Sequence, residues 1–389
     1  LDLFYHLENI SLIVISTIFV LLSIYYFYFL YSIHFGIKKI RMTKASNRED
    51  LSVSVIIPFR NERKNLAKNI ESILGQNYPS DNFEIIYVDD NSSDGSSQIV
   101  EEYMKRSKIK LTLLKIENEK STRGHKKIAI SKGIEISLNE IIVTTDADCF
   151  FGPGWLKSLI ENFNENTGLV AGPVEYISDG SLFSSLQKLE FAGLILSGVG
   201  LVGIKQPIIC NGANLAFRKD AFYEVGGYDS HMNFSSGDDE FLMQKLAYNT
   251  KWDISFSFSK EALAFTRPSE DFKSFFQQRK RWASKSLHYL NAKIKIKLVL
   301  IFMFYLSLII FPIVSLIQSS SYLILFLFIF LAKIFAEYII LLTGKHYLFS
   351  ELKFFYYIPA QMLQPLYLIY SSIMGLFGRF DWKGRNLAR

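Results

Sequence analysis

Two acidic clusters and one amide, guanidinium and indole set are the side chains of this sequence best suited to chemistry. Asp146 and Asp148 stand one residue apart directly after the apolar run Ile141-Ile142-Val143-Thr144. Along an extended strand such residues point to the same side. The spacing therefore predicts a hard-cation site for Mg²⁺ or Mn²⁺, ions that carboxylates hold together with substrate phosphates; a solvated strand end is the alternative. Asp238, Asp239 and Glu240 precede the apolar pattern Phe241, Leu242, Leu246. That places three acids in the first turn of a helix, where they serve the helix dipole or supply a proton acceptor. In Gln278-Arg279-Lys280-Arg281-Trp282, helical spacing puts Gln278 and Trp282 on one face with Arg281 beside them. An amide, a guanidinium and an aromatic plate together suit a diphosphate and a sugar ring. A basic amphipathic helix on a membrane surface is the competing reading, and it is the one adopted for Arg279, Lys280 and Lys285.

The elements that must position these groups alternate. A buried-type strand that opens at Val53 is halted by Pro58 and followed by Arg60, Asn61 and Glu62, then by a helix with Leu66, Ile70, Ile73 and Leu74 on one face. A second strand over 84–88 runs into Asp89-Asp90-Asn91-Ser92-Ser93-Asp94-Gly95, with a helix to about Arg106. A third strand over 111–116, a basic segment with Arg123, Lys126 and Lys127, a helix over 128–136 and the Ile141 strand complete the series. Such alternation predicts an α/β fold with a doubly wound, mostly parallel, Rossmann-like sheet. Ligands of such sheets bind beyond the carboxyl ends of the strands, where the Arg60, Asp90 and Asp146 clusters fall. Lys126 and Lys127 either join that site or are solvated surface lysines.

The 389 residues include 34 Phe and 21 Tyr, and are 49% hydrophobic. Much of that excess lies at the two ends. No Asp, Glu, Lys or Arg occurs over 9–37, a run long enough to cross the roughly 30 Å hydrocarbon layer as a helix. Its length and its acidic upstream residues Asp2 and Glu8 favour a membrane anchor over a signal peptide. Lys38, Lys39, Arg41 and Lys44 follow it, so the positive-inside tendency places the attached region in the cytoplasm, at the inner membrane of the cell. The segments 298–317 and 322–342 predict a helical hairpin across the membrane joined by Gln318-Ser319-Ser320-Ser321. Within it, Lys333 and Glu337 are expected to pair or to face protein. The segment 354–377, with Pro359, Gln361, Gln364 and Pro365, reads as re-entrant or interfacial, with a full span as the alternative; Arg379, Lys383, Arg385 and Arg389 in the tail argue for the inside face. The segment 186–209 reads as an interfacial, acceptor-guiding element or as a buried helix. Net charge is +6. Its basic residues gather beside apolar segments, which favours an anionic membrane surface and argues against nucleic acid. Cys149 and Cys210 lack disulfide or zinc spacing and read as core thiols in a reducing compartment.

Taken in order, Pro58-x-x-Asn61-Glu62, Val88-Asp89-Asp90-Asn91-Ser92-Ser93-Asp94-Gly95, Asp146-Ala147-Asp148, Gly237-Asp238-Asp239-Glu240 and Gln278-x-x-Arg281-Trp282 resemble a membrane-bound family 2 glycosyltransferase with the GT-A fold. The likeness covers about 52–285. It implies a nucleotide-sugar donor, with UDP expected, whose uracil and ribose are held by Asp90 and by Pro58, Arg60, Asn61 and Glu62. It further implies that Asp146 and Asp148 bracket the ribose and a metal-bound diphosphate, aided by Lys126, and that Gln278, Arg281 and Trp282 complete the donor site. The matching catalytic base is Asp239, with Asp238 replacing the commoner Glu. Asn211, Gly212 and Asn214, with Asp238 and Trp282, would form the acceptor wall, although glycines there also suit turn geometry alone. The resemblance implies inverting transfer to a lipid or growing glycan, by one addition or processively; a silent nucleotide-sugar-binding scaffold is the reading from another class. The expected organisation is an anchor over 1–45, a transferase domain over 46–292 and a membrane region over 293–389. The ending Trp382-Lys383-Gly384-Arg385 also resembles related bacterial enzymes.

Overall fold

The computed structural model describes residues 2–43, 51–116, 124–229, 237–285, 288–289, 291–318, 320–349, 351–377, 380–382 and 385–387. Lys44, Arg123, Ser319, Arg379, Lys383, Gly384 and Arg389 lie outside them. In chain order the helices and strands are α1 (Asp2–Met42), β1 (Val53–Phe59), α2 (Leu66–Leu74), β2 (Phe83–Asp89), α3 (Ser96–Arg106), β3 (Leu111–Lys115), α4 (His125–Ile136), β4 (Ile141–Thr144), β5 (Phe150–Phe151), α5 (Trp155–Ile160), β6 (Thr167–Ala171), β7 (Val174–Tyr176), α6 (Leu182–Gly203), β8 (Leu215–Arg218), α7 (Lys219–Glu224), α8 (Asp238–Asn249), β9 (Asp253–Phe256), β10 (Ala264–Thr266), α9 (Phe272–Ser284), α10 (Ala292–Gln318), α11 (Ser320–Tyr347), α12 (Tyr357–Phe377), β11 (Phe380–Trp382) and β12 (Arg385–Leu387).

Seven strands form the main sheet in the order β3-β2-β1-β4-β8-β6-β9. The first four are parallel, with Val55 opposite Ile85 on one side and Val143 on the other. Their near-continuous Val and Ile runs are what a sheet covered on both faces demands, and Val55, Ile56, Ile85 and Val143 are fully buried. Strand β8 runs antiparallel to both neighbours. The sheet is thus mostly parallel, with one reversal where the chain returns from α6. A second sheet, β5-β10-β7, stands beside it. Strand β4 stops at Thr144, and Asp146 to Cys149 form a turn closed by the Cys149 N–H donating to the Asp146 carbonyl at 3.1 Å. Strand alternation therefore does not govern Asp146 and Asp148; the turn does.

Among the described residues, four helical stretches are long and apolar enough to cross a membrane: Leu12–Met42, Leu182–Gly203, Ala292–Ile317 and Tyr322–Tyr347. The second differs from the rest. Its apolar window is 67% buried inside the protein, against 28% for each of the others, so α6 is a covered helix rather than an interfacial one. It crosses α1 backbone to backbone: a Cβ on Gly36 would stand 1.9 Å from the Gly200 carbonyl oxygen, and one on Gly203 would stand 2.1 Å from that of Gly36. Small residues permit such approach where lipid gives no hydrophobic drive between helices. Phe19 stacks on Phe311, and Tyr26 on Phe304, at 4.2 Å between ring centres, which joins α1 to α10. Lys333 and Glu337 pair at 2.9 Å, and both also meet protein. Glu337 accepts from the Tyr26 hydroxyl at 2.7 Å and from the Gln361 amide at 2.9 Å, so the charges are held among α1, α11 and α12. The 357–377 segment is one helix, continuous through Pro365.

Because the α1–α6 crossing leaves no room for a side chain, Gly36→Val is expected to cost about 1–3 kcal/mol or more, the usual range for overpacking. Thermal unfolding in detergent would read this as a lowered melting temperature, and an unchanged one would contradict the close crossing.

Candidate active site

The loops after β1 and β2 are knitted together. Asn61, at a left-handed φ of 52°, donates its N–H to Ser92 Oγ at 3.0 Å, and its Oδ1 accepts from the Ser93 N–H at 2.9 Å. The Glu62 N–H donates to Ser96 Oγ at 2.8 Å. Arg60 Nη1 donates to the Asp90 carbonyl at 2.8 Å. The adjacent acids then diverge. Asp89 accepts from the Ser92 N–H at 2.8 Å and from the Ser97 hydroxyl, facing α3. Asp90 faces His125 Nδ1 at 3.8 Å, in the first turn of α4. On the Asp89 side, Asn91, Ser93, Gln98 and Lys115 help to line a cavity of ≈ 300 Å³.

Helix α4 carries the central cation. Lys126 Nζ lies 2.7 Å from Asp146 Oδ1 and 3.3 Å from Asp238 Oδ2, so it joins the end of β4 to the start of α8. Burial pulls its pKa down, but Asp146 and Asp238 more than offset this and hold it above the ordinary lysine range. Lys127 is buried as well, at 1% exposure. Neither is a solvated surface lysine. The Asp146 turn is fixed from below by Asn69, whose amide donates to the Cys149 carbonyl at 2.7 Å. Asp148 Oδ2 accepts from the Thr266 hydroxyl at 3.3 Å, which ties the turn to β10.

The 211–214 loop is strapped across the end of β4, with Thr145 Oγ1 donating to the Ala213 carbonyl at 2.8 Å. Its Gly212 N–H donates to Asp239 Oδ2 at 2.9 Å. A Cβ on Gly212 would meet Asp238 Oδ2 at 2.9 Å, so close approach to the acids requires glycine there. Asn211 closes the loop, its Oδ1 accepting from the Ala213 N–H at 3.0 Å. Asn214 points elsewhere: it is fully buried, donates to the Pro173 and Ala262 carbonyls at 2.7 and 2.8 Å, and accepts from Trp155 Nε1 at 2.9 Å. It braces the wall from behind and does not line the site.

On α9, Gln278 accepts from the Tyr176 hydroxyl at 3.3 Å and from Arg279. Arg279 is buried, pairs with Glu190 of α6 and lies 4.4 Å over the Trp282 ring. Lys285, at the end of α9, pairs with Glu240 at 3.0 Å and approaches Asp239 Oδ1 at 3.7 Å. Arg279 and Lys285 are thus interior ion-pair partners and not part of a membrane-lying basic face, because each is matched to a buried carboxylate that spacing within α9 does not reveal. Lys126, Asp146, Gly212, Asp238 and Asp239 form one connected group, which Lys285 joins from the end of α9, while Asp90 sits beside His125 and Gln278 and Trp282 pack on Tyr176, Phe191 and Arg279. His125 and Thr266 carry no sequence signal that marks them, whereas Lys285 reads from its spacing as part of a membrane-lying basic face. The usable signal for Lys285 was its place one helical turn beyond Arg281.

The Glycosyl transferase family 2 profile matches residues 54–226, and that of Glycosyl transferase family group 2 matches 141–368. The second match spans more than half of the sequence: the chain belongs to this glycosyltransferase family. A poly-beta-1,6-N-acetyl-D-glucosamine synthase of Staphylococcus epidermidis is 25% identical over 269 residues, which cover 67% of this chain and 60% of that enzyme. A hyaluronan synthase of Streptococcus pyogenes is 32% identical over 123 residues, 31% of this chain and 29% of that one. The chain therefore spans less than two thirds of the length of these relatives. Among solved structures, the mannosyltransferase PcManGT from Pyrobaculum calidifontis, in complex with GDP-Man and Mn²⁺, shares the fold, with a TM-score of 0.58 at 17% identity over 93% of this chain and 99% of that one.

Burial lowers Lys127 from 10.5 to about 8, with Asp238 and Asp239 opposing the shift. Between those two values the unfolded chain binds more protons at this lysine than the folded one does, so stability rises with pH across the window. Lys127→Met should abolish that rise in thermal unfolding without loss of stability at neutral pH. A rise that persists would refute the assignment.

Proposed function

We propose that this glycosyltransferase is membrane-anchored and inverting, taking a UDP-linked sugar at the cytoplasmic face and passing it to a lipid or growing glycan. The observation that supports this reading is the Lys126 bridge, which joins Asp146 after β4 to Asp238, the neighbour of Asp239 at the start of α8. In this reading 46–292 is the catalytic unit, 1–45 its anchor and 293–389 its membrane region.

Asp90 with Pro58, Arg60, Asn61 and Glu62 holds the nucleoside, and Asp146 the ribose and diphosphate. Asp146 and Asp148 offer hard oxygen donors from one turn, which fits Mg²⁺ or Mn²⁺. Among the described residues no third acid, His or Cys joins them in a metal-binding group, so phosphate and water would complete the shell. When bound, such a cation neutralises charge gathering on the leaving diphosphate. Lys126, held as a cation by Asp146 and Asp238, adds to that neutralisation. Asp239, aimed by the Gly212 N–H, takes the proton of the acceptor hydroxyl as that oxygen attacks the anomeric carbon from the face opposite the diphosphate. Gln278, Arg281 and Trp282 line the route between donor and acceptor. The two relatives named above are synthases of glycan polymers, which favours processive addition as a second reading, and makes UDP-N-acetylglucosamine the first donor to test.

Detergent-purified protein with Mn²⁺ should release UDP from one donor only when a membrane lipid extract is added; failure with every donor despite metal-dependent UDP binding would favour a silent scaffold. Product length on the isolated acceptor separates single from processive transfer. Asp239→Asn is expected to lower transfer by about 10²–10⁴-fold, the scale of general-base catalysis, while leaving donor binding nearly intact. Asp148→Ala should instead weaken metal-dependent donor binding. Equal loss of donor binding in both variants would undo this division of roles.

A further inference from the structure

Lys285 closes α9 three residues beyond Trp282 and is only 8% exposed. Its ammonium lies 3.0 Å from Glu240 Oε1 and 3.7 Å from Asp239 Oδ1, so a single cation at the end of one helix serves two adjacent acids at the start of another. We propose that Lys285 is a positioning residue that ties the seating of the end of α9 to the aim and charge surroundings of the Asp239 carboxylate, making the base competent only while Lys285 is held against the first turn of α8. The inference rests on the reading of Asp239 as the base.

Three contacts aim Asp239 from three directions. The Gly212 N–H holds Oδ2 from the loop, the Glu240 N–H donates to Oδ1 at 2.7 Å from within α8, and Lys285 approaches Oδ1 from α9. Only the last depends on a separate helix. Glu240 has little freedom to draw Lys285 away, because it is buried and its Oε2 accepts from the Tyr289 hydroxyl, which comes from the chain just past α9. Burial would discharge Lys285, but Asp239 and Glu240 overcome that and keep it a cation above the ordinary lysine range. The other groups whose charge bears on Asp239 are Asp238 on its own helix, Lys126 and Lys127 on α4, Cys210 before the 211–214 loop, and Tyr228 and Tyr289. Lys126 is committed to Asp146 and Asp238. Burial already pushes the Glu240 carboxyl up to about 7, with Lys285 opposing the shift; removing Lys285 would leave Asp239 and Glu240 adjacent without the cation that now lies between them, and a carboxyl that loses a facing cation holds its proton to higher pH. The same lysine follows Gln278, Arg281 and Trp282 on their helix, so movement of α9 shifts the cation at the base.

The test compares pH–rate profiles of the wild type, Lys285→Met, Lys285→Arg, Glu240→Gln and, as a control on the exposed side of α9, Lys273→Met. UDP release from UDP-N-acetylglucosamine with Mn²⁺ and lipid extract is the readout, with thermal unfolding without donor or metal measured in parallel. For Lys285→Met the acid limb of kcat should move up by about one pH unit, at the low end of the effect of a neighbouring charge, with the donor KM within about twofold. Lys285→Arg should restore the limb, Glu240→Gln should move it the opposite way, and Lys273→Met should leave it in place. Without ligands, Lys285→Met should lose stability more steeply than wild type as pH rises, since its two acids then ionise uncompensated. An acid limb and a pH–stability slope that both stay put in Lys285→Met overturn the proposal. If that variant does not fold, an unmoved limb in Glu240→Gln does so. Asp239→Asn separates the two readings: full transfer in that variant removes the base assignment and this inference together, whereas an inactive Asp239→Asn beside an unshifted Lys285→Met removes only the role of Lys285.

Discussion

The site depends on how its negative charge is held. Asp90, Asp146, Asp148, Asp238, Asp239 and Glu240 gather at the carboxyl ends of the strands and the first turn of α8, and carboxylates such as Asp238 and Glu240, buried close to others, repel them strongly. Two lysines make the arrangement possible, each shared between two acids: Lys126 between Asp146 and Asp238, and Lys285 between Asp239 and Glu240. Each cation arrives on a different helix. The start of α4 and the end of α9 are therefore parts of the cluster, and the turn after β4 is joined to the start of α8 by charge.

The same economy links the site to the apolar helices. Helix α9 lies against α12, where Phe275 meets Tyr367 and Phe276 meets Tyr370 at ring-centre distances of 5.8 and 4.9 Å. On another side of α12, Gln361 accepts from Lys333 of α11 and donates to Glu337. Arg279 ties α9 to Glu190 of α6, and α6 in turn crosses α1 through Gly36, Gly200 and Gly203. Buried ion pairs of this kind are poor sources of net stability, but removing one partner is costly. Their value here lies in fixing which faces of the helices meet. A helix bearing Gln278, Arg281 and Trp282 is thereby held by α6, by the start of α8 and by α12.

Much of this was legible in the amino-acid sequence. Buried-type Val and Ile runs separated by amphipathic helices specify a parallel sheet because a strand covered on both faces must be apolar on both. The 9–37, 298–317 and 322–342 segments read as long apolar helices from length alone, and Lys333 with Glu337 read as partners from their i,i+4 spacing. Reading failed wherever a side chain's partner came from a distant element. Asp146 and Asp148 lie in a turn and not on a strand, since β4 ends two residues earlier than strict alternation assumes. Asn214 looked like part of the acceptor wall, yet its amide serves the Pro173 and Ala262 carbonyls and the Trp155 indole. Arg279 and Lys285 looked like a basic surface because nothing local to α9 supplies Glu190, Asp239 or Glu240.

By itself, the sequence determined the order of the elements, the apolar helices at both ends and the residue types gathered after each strand, because periodicity and hydrophobicity are local properties of the chain. Only the tertiary structure decided which charges neutralise one another. That choice depends on distances between α4, α8, α9 and the strand ends, and on burial that strengthens each pairing, and neither is encoded in any short stretch of residues.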